Sequence, residues 1–176
     1  MATHKVQINR APVLTLWATV VAERLGHDRE AALTLGKAVA GLNAQAKGRR
    51  LGIFEEPTDA REAREPRGRE PGKPLLVALL GRAVPSVTTK DGLRATLKGQ
   101  PIDPKRVRRY LAQRFGGELA NVWAAMEDLA RAYPPEHLAA QAYALYERFR
   151  PDVPEGKQGW GAAGELDLDA LRSLAE

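Results

Sequence analysis

The sequence contains no cysteine, and this absence excludes several kinds of chemistry. Without thiols, the 176-residue chain forms no disulfide, no thiolate zinc site and no cysteine nucleophile. It also has no run of about 18 apolar residues, so the sequence predicts no membrane-spanning helix. The segment from Met1 to Lys5 lacks the apolar region of a signal peptide. We therefore expect a cytoplasmic, bacterial-type protein that does not contact a membrane.

Patterns that mark catalytic or metal sites are scarce in this chain. His4, His27 and His137 stand far apart and lack carboxylates at the spacing of a zinc motif. No G-x-S-x-G motif occurs, and the segment from Gly41 to Lys47 lacks the second glycine and the Ser or Thr of a phosphate loop. We therefore predict no catalytic residue, no metal site and no cofactor.

The charges are distributed unevenly along the chain. The net charge is +5, from 27 Lys and Arg against 22 Asp and Glu. Residues 74–116 hold nine basic and two acidic residues, whereas residues 152–176 hold two basic and six acidic residues. Such asymmetry indicates either an anionic partner for the basic part or an acidic C-terminal segment folded onto a basic body. The sequence leaves both interpretations open.

Two helices are predicted in the first 50 residues, joined by a very short turn. Apolar residues at three- and four-residue spacing predict a largely buried helix over residues 12–25, which Gly26 ends. Asp28 is a suitable N-cap for a second helix, which runs to about residue 47. Gly36 and Gly41 weaken this second helix, so we expect close helix packing at the glycines, or a bend or break near Gly41.

The end of the second predicted helix is rich in amide and basic side chains. Two helices joined by a tight turn, the second with a basic end, have the outline of a helix-turn-helix. In this hypothesis two amides reach base edges and three cations contact phosphates. These residues are Asn43, Gln45, Lys47, Arg49 and Arg50. The alternative is that the cations only complement the dipole at a helix C-terminus.

Three further segments are assigned from their pattern of apolar and polar residues. Val6 and Ile8 alternate with polar residues, which indicates a brief strand. Residues 55–74 combine proline, glycine and dense mixed charge with no large apolar residue, which predicts a mobile surface loop. The apolar run at 74–81 belongs to the core, and its leucine and alanine content favours a helix over a buried strand.

A basic hairpin is predicted over residues 84–98. Asp91 and Gly92 lie between two runs of β-prone residues, which is a strong local signal for a hairpin turn. A basic hairpin that follows helices has the outline of the wing of a winged helix. In this hypothesis Arg94 and Lys98 contact phosphates.

The most basic helix of the chain is predicted directly after the hairpin. Asp103 caps this helix and Pro104 occupies its first position. Residues 104–115 contain no acidic residue, so the helix is a candidate surface for phosphates, and Arg106 and Arg109 are assigned to that role. The alternative is a solvated helix that pairs with the acidic C-terminal segment.

The C-terminal part is predicted to be helical. Apolar and aromatic stripes over residues 118–133 and 134–150 predict an antiparallel helical pair, whose aromatics belong to the core or to a dimer seam. Residues 151–164 form a Pro/Gly-containing loop around Trp160. A short amphipathic helix follows Asp167.

Two resemblances accompany these patterns. The stretches from Ile8 to Trp17 and from Leu33 to Asn43 look like a group of uncharacterised bacterial proteins, with no functional residue to carry over. In outline, the helical pair, the hairpin at 84–98 and the helical C-terminal half are similar to winged-helix transcription regulators of the PadR/AphA-like class. The polar loop at 55–74 is where the chain departs from that class.

Together these features predict a mainly α (α+β) fold, a helical bundle with one β-hairpin. We expect a winged-helix-like basic part at residues 1–115 and a helical part at 116–176 that dimerises. The first functional hypothesis is a homodimeric transcription regulator that binds duplex DNA, with an unknown small-molecule effector. The second is a protein–protein interaction module anchored by Trp160 and the aromatic helices. The third is an enzyme that acts on an anionic small molecule.

Overall fold

The computed structural model of the chain describes residues 5–8, 10–50, 75–97, 99–151 and 164–175, with the backbone alone for Lys5 and residues 43–50. Its backbone is 64% helix and 23% strand, which confirms the predicted mainly α, α+β class. The helices are α1 (Arg10–Arg24), α2 (Arg29–Arg50), α3 (Pro104–Phe115), α4 (Leu119–Arg131), α5 (Pro135–Phe149) and α6 (Leu168–Leu174). The strands are β1 (Lys5–Ile8), β2 (Leu75–Leu79), β3 (Arg82–Thr89), β4 (Gly92–Leu97), β5 (Gln100–Pro101) and β6 (Gly164–Asp167).

The strands form two antiparallel sheets. β1 pairs with β6, and the strands from β2 to β5 form a four-stranded sheet in chain order. The predicted hairpin is confirmed, because Lys90 and Asp91 join β3 to β4, and Gly92 begins β4. Gly92 has a φ of +118°, a conformation that side chains with a Cβ rarely adopt. The brief strand predicted at Val6 and Ile8 is also confirmed, as β1.

The prediction of a helix over residues 74–81 is wrong. This segment forms β2, which pairs with β3 along its whole length. Leu80 and Gly81 join the two strands, and both have positive φ, of 49° and 77°. Two such residues in succession are typical of a type I′ hairpin turn, which matches the twist of the flanking strands. Pairing with β3 therefore outweighs the helix preference of leucine and alanine.

Helix α1 lies at the centre of the molecule and is buried on all sides. Every residue from 12 to 22 is buried, and α1 packs against α2, α3, α4 and α5. The Trp17 indole Nε1 donates a hydrogen bond of 2.9 Å to the Ala142 carbonyl oxygen on α5. The Thr15 and Thr19 hydroxyls donate to carbonyl oxygens one turn earlier in α1.

No helix in the described ranges is long and apolar enough to cross a membrane.

The turn between α1 and α2 has the chemistry that the sequence predicts. Gly26 has a φ of +114°, and the His27 amide donates to the Ala22 carbonyl oxygen at 3.0 Å, which closes the end of α1. Asp28 Oδ1 accepts a hydrogen bond of 2.8 Å from the Ala31 amide. Asp28 is therefore the N-cap of α2, as predicted.

Helices α1 and α2 approach each other very closely at Gly36. A Cβ atom at this position would lie 2.4 Å from the Thr15 carbonyl oxygen and 2.4 Å from the Thr19 hydroxyl oxygen. The expected close packing is confirmed at Gly36. Around Gly41 no heavy atom would lie within 4 Å of a Cβ, and α2 continues past it to Arg50 without a break.

The predicted C-terminal helices are present as α4 and α5, and their aromatic residues belong to the core. The rings of Trp17 and Phe149 meet edge-on with 5.3 Å between centroids. The Arg24 guanidinium donates hydrogen bonds to the carbonyl oxygens of Ala130 and Tyr133, at the end of α4. These contacts attach the central helix to both C-terminal helices.

Candidate functional site

Helix α3 is positioned by a cap at its start and by a buried stripe along one side. Asp103 Oδ1 accepts a hydrogen bond of 3.0 Å from the Lys105 amide, and Pro104 follows at the first helical position, as predicted. The buried stripe consists of Val107, Leu111 and Phe115. Because these residues recur every fourth position, the opposite side of α3 faces solvent.

The cations of α3 are exposed and form no ion pair with any residue that the structure describes. They are Lys105, Arg106, Arg108, Arg109 and Arg114, which we call the basic face of α3. No acidic residue lies between residues 104 and 115. Within the described ranges, no ion pair includes any of these five side chains. Arg106 and Arg109 therefore lie on an exposed basic surface, as predicted.

The described acidic residues of the C-terminal segment, Glu165, Asp167 and Asp169, make other contacts. Asp167 caps α6 by accepting a hydrogen bond from the Ala170 amide at 3.1 Å. Asp169 lies 4.0 Å from Arg172 of the same helix, and Glu165 accepts a hydrogen bond from Gln7 on β1. Among the described residues, no ion pair joins this segment to the basic face of α3. The described contacts thus do not support neutralisation of α3 by the acidic segment.

Lys37 of α2 meets the basic face of α3 at Tyr110. The Lys37 Nζ lies 3.9 Å from the centroid of the Tyr110 ring, and the Arg114 Cζ lies 5.6 Å from the same centroid. Lys37 is half-buried, and burial together with the charge of Arg114 lowers its pKa. Burial raises the pKa of the Tyr110 phenol. Two cations from two helices therefore converge on one aromatic ring.

Lys37, Tyr110 and Arg114 were not predicted as a group from the sequence. A weak signal was present, because Lys37 is the single charged residue between residues 31 and 42. Tyr110 and Arg114 are four residues apart and so share one side of a helix. The pairing of α2 with α3, which brings the three together, involves residues about 70 positions apart and leaves no local pattern.

Five of the predicted contact residues lie at the end of α2. They are Asn43, Gln45, Lys47, Arg49 and Arg50. Their backbone is helical and continues α2 to Arg50, three residues beyond the predicted end. Their side chains, and all of Lys98, lie outside the described residues. The assignment of these residues to DNA stays a prediction.

The start of α2 is covered on both sides, which differs from a helix-turn-helix. Residues 31–36 and 38–40 are buried. One side packs against α1, and on another the Thr34 hydroxyl accepts a hydrogen bond of 3.0 Å from the Ala95 amide of β4. In a helix-turn-helix, residues near the start of the second helix contact base edges. In this chain, residues 31–36 of α2 are therefore not available to a partner.

Arg94 is buried in the hairpin, so its predicted contact with phosphate is wrong for this conformation. Its side chain is 7% exposed. The guanidinium donates to Glu30 Oε1 at 3.0 Å, to the Leu93 carbonyl at 2.9 Å and to the Asp91 carbonyl at 3.3 Å. Arg94 therefore fixes the tip of the hairpin to the first turn of α2.

Large apolar side chains are exposed on the four-stranded sheet. Leu75, Leu76 and Leu97 are 40%, 68% and 57% exposed. Leu75 and Leu76 belong to β2, whose second edge pairs with no strand in the described part of the chain. The aromatics of α4 and α5, by contrast, are largely packed inside, and Trp160 lies outside the described residues.

Neither a metal centre nor a nucleotide loop emerges from the described side chains. In the described ranges, no group of three or more His, Asp or Glu side chains could hold a metal ion. Gly159, Gly161 and Gly164 have the spacing G-x-G-x-x-G. That motif binds dinucleotides where it follows a strand and opens a helix, whereas here its last glycine begins β6.

Comparison with family models, with curated proteins and with solved structures finds no match to this chain. Function must therefore be inferred from the side chains themselves. The basic face of α3 and its junction with Lys37 form the surface whose chemistry is most specific.

Proposed function

We propose that this chain is a DNA-binding transcription regulator that contacts duplex phosphates through the basic face of α3 and the later turns of α2. The observation that carries the proposal is the set of five exposed cations on α3, with no acidic residue and no ion pair among the described residues. Cations in such a row neutralise phosphates and release bound counterions, which favours association.

The later turns of α2 are proposed to extend this surface. Helix α2 rises about 1.5 Å per residue, so Arg50 lies about 20 Å further along its axis than Lys37. Asn43 and Gln45 are proposed to reach base edges, and Lys47, Arg49 and Arg50 to contact phosphates. Because the start of α2 is buried, DNA would meet its C-terminal half and α3 together.

The proposal is tested by fluorescence anisotropy with a labelled random-sequence duplex over about 50 to 300 mM salt. We expect tight binding at low salt and a steep negative dependence on salt. The double variant Arg106→Gln, Arg109→Gln should weaken binding and reduce the slope by about two, since each phosphate contact contributes about 0.9.

The matched control is Arg131→Gln, Arg148→Gln, which removes the same charge from exposed positions on α4 and α5. This control should change the slope little. No binding at the lowest salt, or equal loss in both double variants, would contradict a DNA surface on α3.

A second candidate function, protein–protein interaction, is favoured by the exposed leucines of the sheet. We propose that a second copy of this chain is the partner, with β2 of each copy pairing antiparallel about Val77. β2 contains no charged residue that would oppose pairing with an identical strand. Leu76 and Ala78 of the two copies would then cover one another.

A further inference from the structure

We propose that Lys37, Tyr110 and Arg114 form a subsite that holds one phosphate group of the nucleic acid backbone. This inference rests on the proposed function and specifies one point of contact within it. Of the residues between 31 and 40 on α2, Lys37 alone is not buried, and its amine lies over Tyr110. The subsite therefore joins the two helices of the proposed surface at one place.

Two cations contact one ring, and among the described residues no carboxylate pairs with either of them. Lys37 Nζ and Arg114 Cζ lie 3.9 Å and 5.6 Å from one ring centroid. Within the described ranges, neither side chain has an ion pair with a carboxylate. The ring attracts both cations, but an aromatic face carries no net charge and leaves their mutual repulsion in place.

A bound phosphate would remove this repulsion. Arg presents a planar set of donors suited to phosphate oxygens, and Lys supplies a point charge beside it. The lowered pKa of Lys37 has the same origin, since burial and Arg114 both oppose its charge. An anion bound by both side chains would favour the charged amine and raise that pKa.

The position of the subsite favours a phosphodiester over a carboxylate on a small molecule. Arg106 precedes Tyr110 by four residues and Arg114 follows it by four, so the three lie in one row along α3. Cations spaced along such a row can contact successive phosphates of a polymer. Lys37 adds a cation from the neighbouring helix at the middle of the row.

The subsite can be tested without DNA, by pulse labelling of lysines with an acylating reagent across pH and detection by mass spectrometry. Lys37 should label with a midpoint below the ordinary value for a lysine, because its pKa is lowered. Added inorganic phosphate, against chloride at equal ionic strength, should raise the Lys37 midpoint. The variant Arg114→Gln should abolish the response to phosphate.

The same subsite is then tested in DNA binding with Lys37→Met, which keeps the length of the side chain. This variant should lower the salt slope by about one, whereas Arg148→Gln should not change it. If no DNA binds but phosphate shifts Lys37, the proposed function fails and an anion site remains. If DNA binds while phosphate leaves Lys37 unchanged and Lys37→Met keeps the full slope, the subsite is refuted and the DNA surface stands.

Discussion

Among single residues, Gly36 and Gly41 offer a matched pair within one helix. Gly36→Ala should lower the free energy of unfolding by about 2 kcal/mol, because the new methyl group would overlap backbone and hydroxyl oxygens of α1. Gly41→Ala should raise it by up to about 1 kcal/mol, since alanine favours a helix and space is available. Urea denaturation of the two variants measures both values. Effects of the same sign would contradict the close contact at Gly36.

Tyr146 has a buried hydroxyl that finds no hydrogen-bond partner among the described residues. Tyr146→Phe should raise the free energy of unfolding by about 1 kcal/mol, because an unsatisfied polar group then leaves the core. Burial raises the pKa of Tyr146 well above its ordinary value of 10.0. Above pH 10 the unfolded phenol loses its proton while the native one keeps it. The free energy of unfolding of the wild type therefore falls as pH rises.

Denaturation of the wild type and of Tyr146→Phe at pH 7 and at pH values above 10 separates these effects. The difference in free energy of unfolding between Tyr146→Phe and the wild type should increase as pH rises above 10, since the variant has no phenol at this position. A wild type more stable than the variant at both pH values would indicate a partner for the hydroxyl.

Arg94 and Lys37 show where prediction of the site from sequence stops. Arg106 and Arg109 were correctly expected on a basic face, because the pattern of α3 alone determines which side is buried. The environment of Arg94 depends on Glu30, 64 residues away, and that of Lys37 depends on Tyr110. Neither contact has a signal in the local sequence.

At the scale of helices and strands, the predictions that held rest on short-range chemistry. The Asp28 and Asp103 caps, the turn at Gly26 and the hairpin at Asp91 and Gly92 each involve residues a few positions apart. The prediction of a helix in place of β2 was wrong because an apolar run of this length suits a helix or a strand equally. Its pairing with β3 decides between them.

The edge of β2 gives a prediction at this scale. Leu76→Lys should convert a dimer to a monomer, because it places a charge on an exposed position of the proposed shared strand pair. Sedimentation velocity measures the change in mass. The control is Thr88→Lys, an exposed position on β3 that lies away from the β2 edge. A monomeric wild type, or a dimer that survives Leu76→Lys, would exclude association through β2.

For the whole molecule, composition and periodicity were sufficient to predict the α+β class, but not the packing of its elements. The helical pair of α1 and α2 has the outline of a helix-turn-helix, a motif whose second helix contacts base edges with residues near its start. Instead, α1 and the sheet cover that part, because Gly36 permits close approach and Thr34 bonds to β4. The candidate surface consequently shifts towards α3.

The pairing of β1 with β6 has a consequence for the order in which the chain folds. Gln7 and Glu165 are 158 positions apart, yet they join across this strand pair. Closing so long a loop is entropically costly unless the intervening elements are already assembled, so β1 should dock last. During synthesis, α1 leaves the ribosome long before α4 and α5 exist to cover it. The nascent chain must therefore hold an apolar helix in water until the second half arrives, which is the interval in which a chaperone would act.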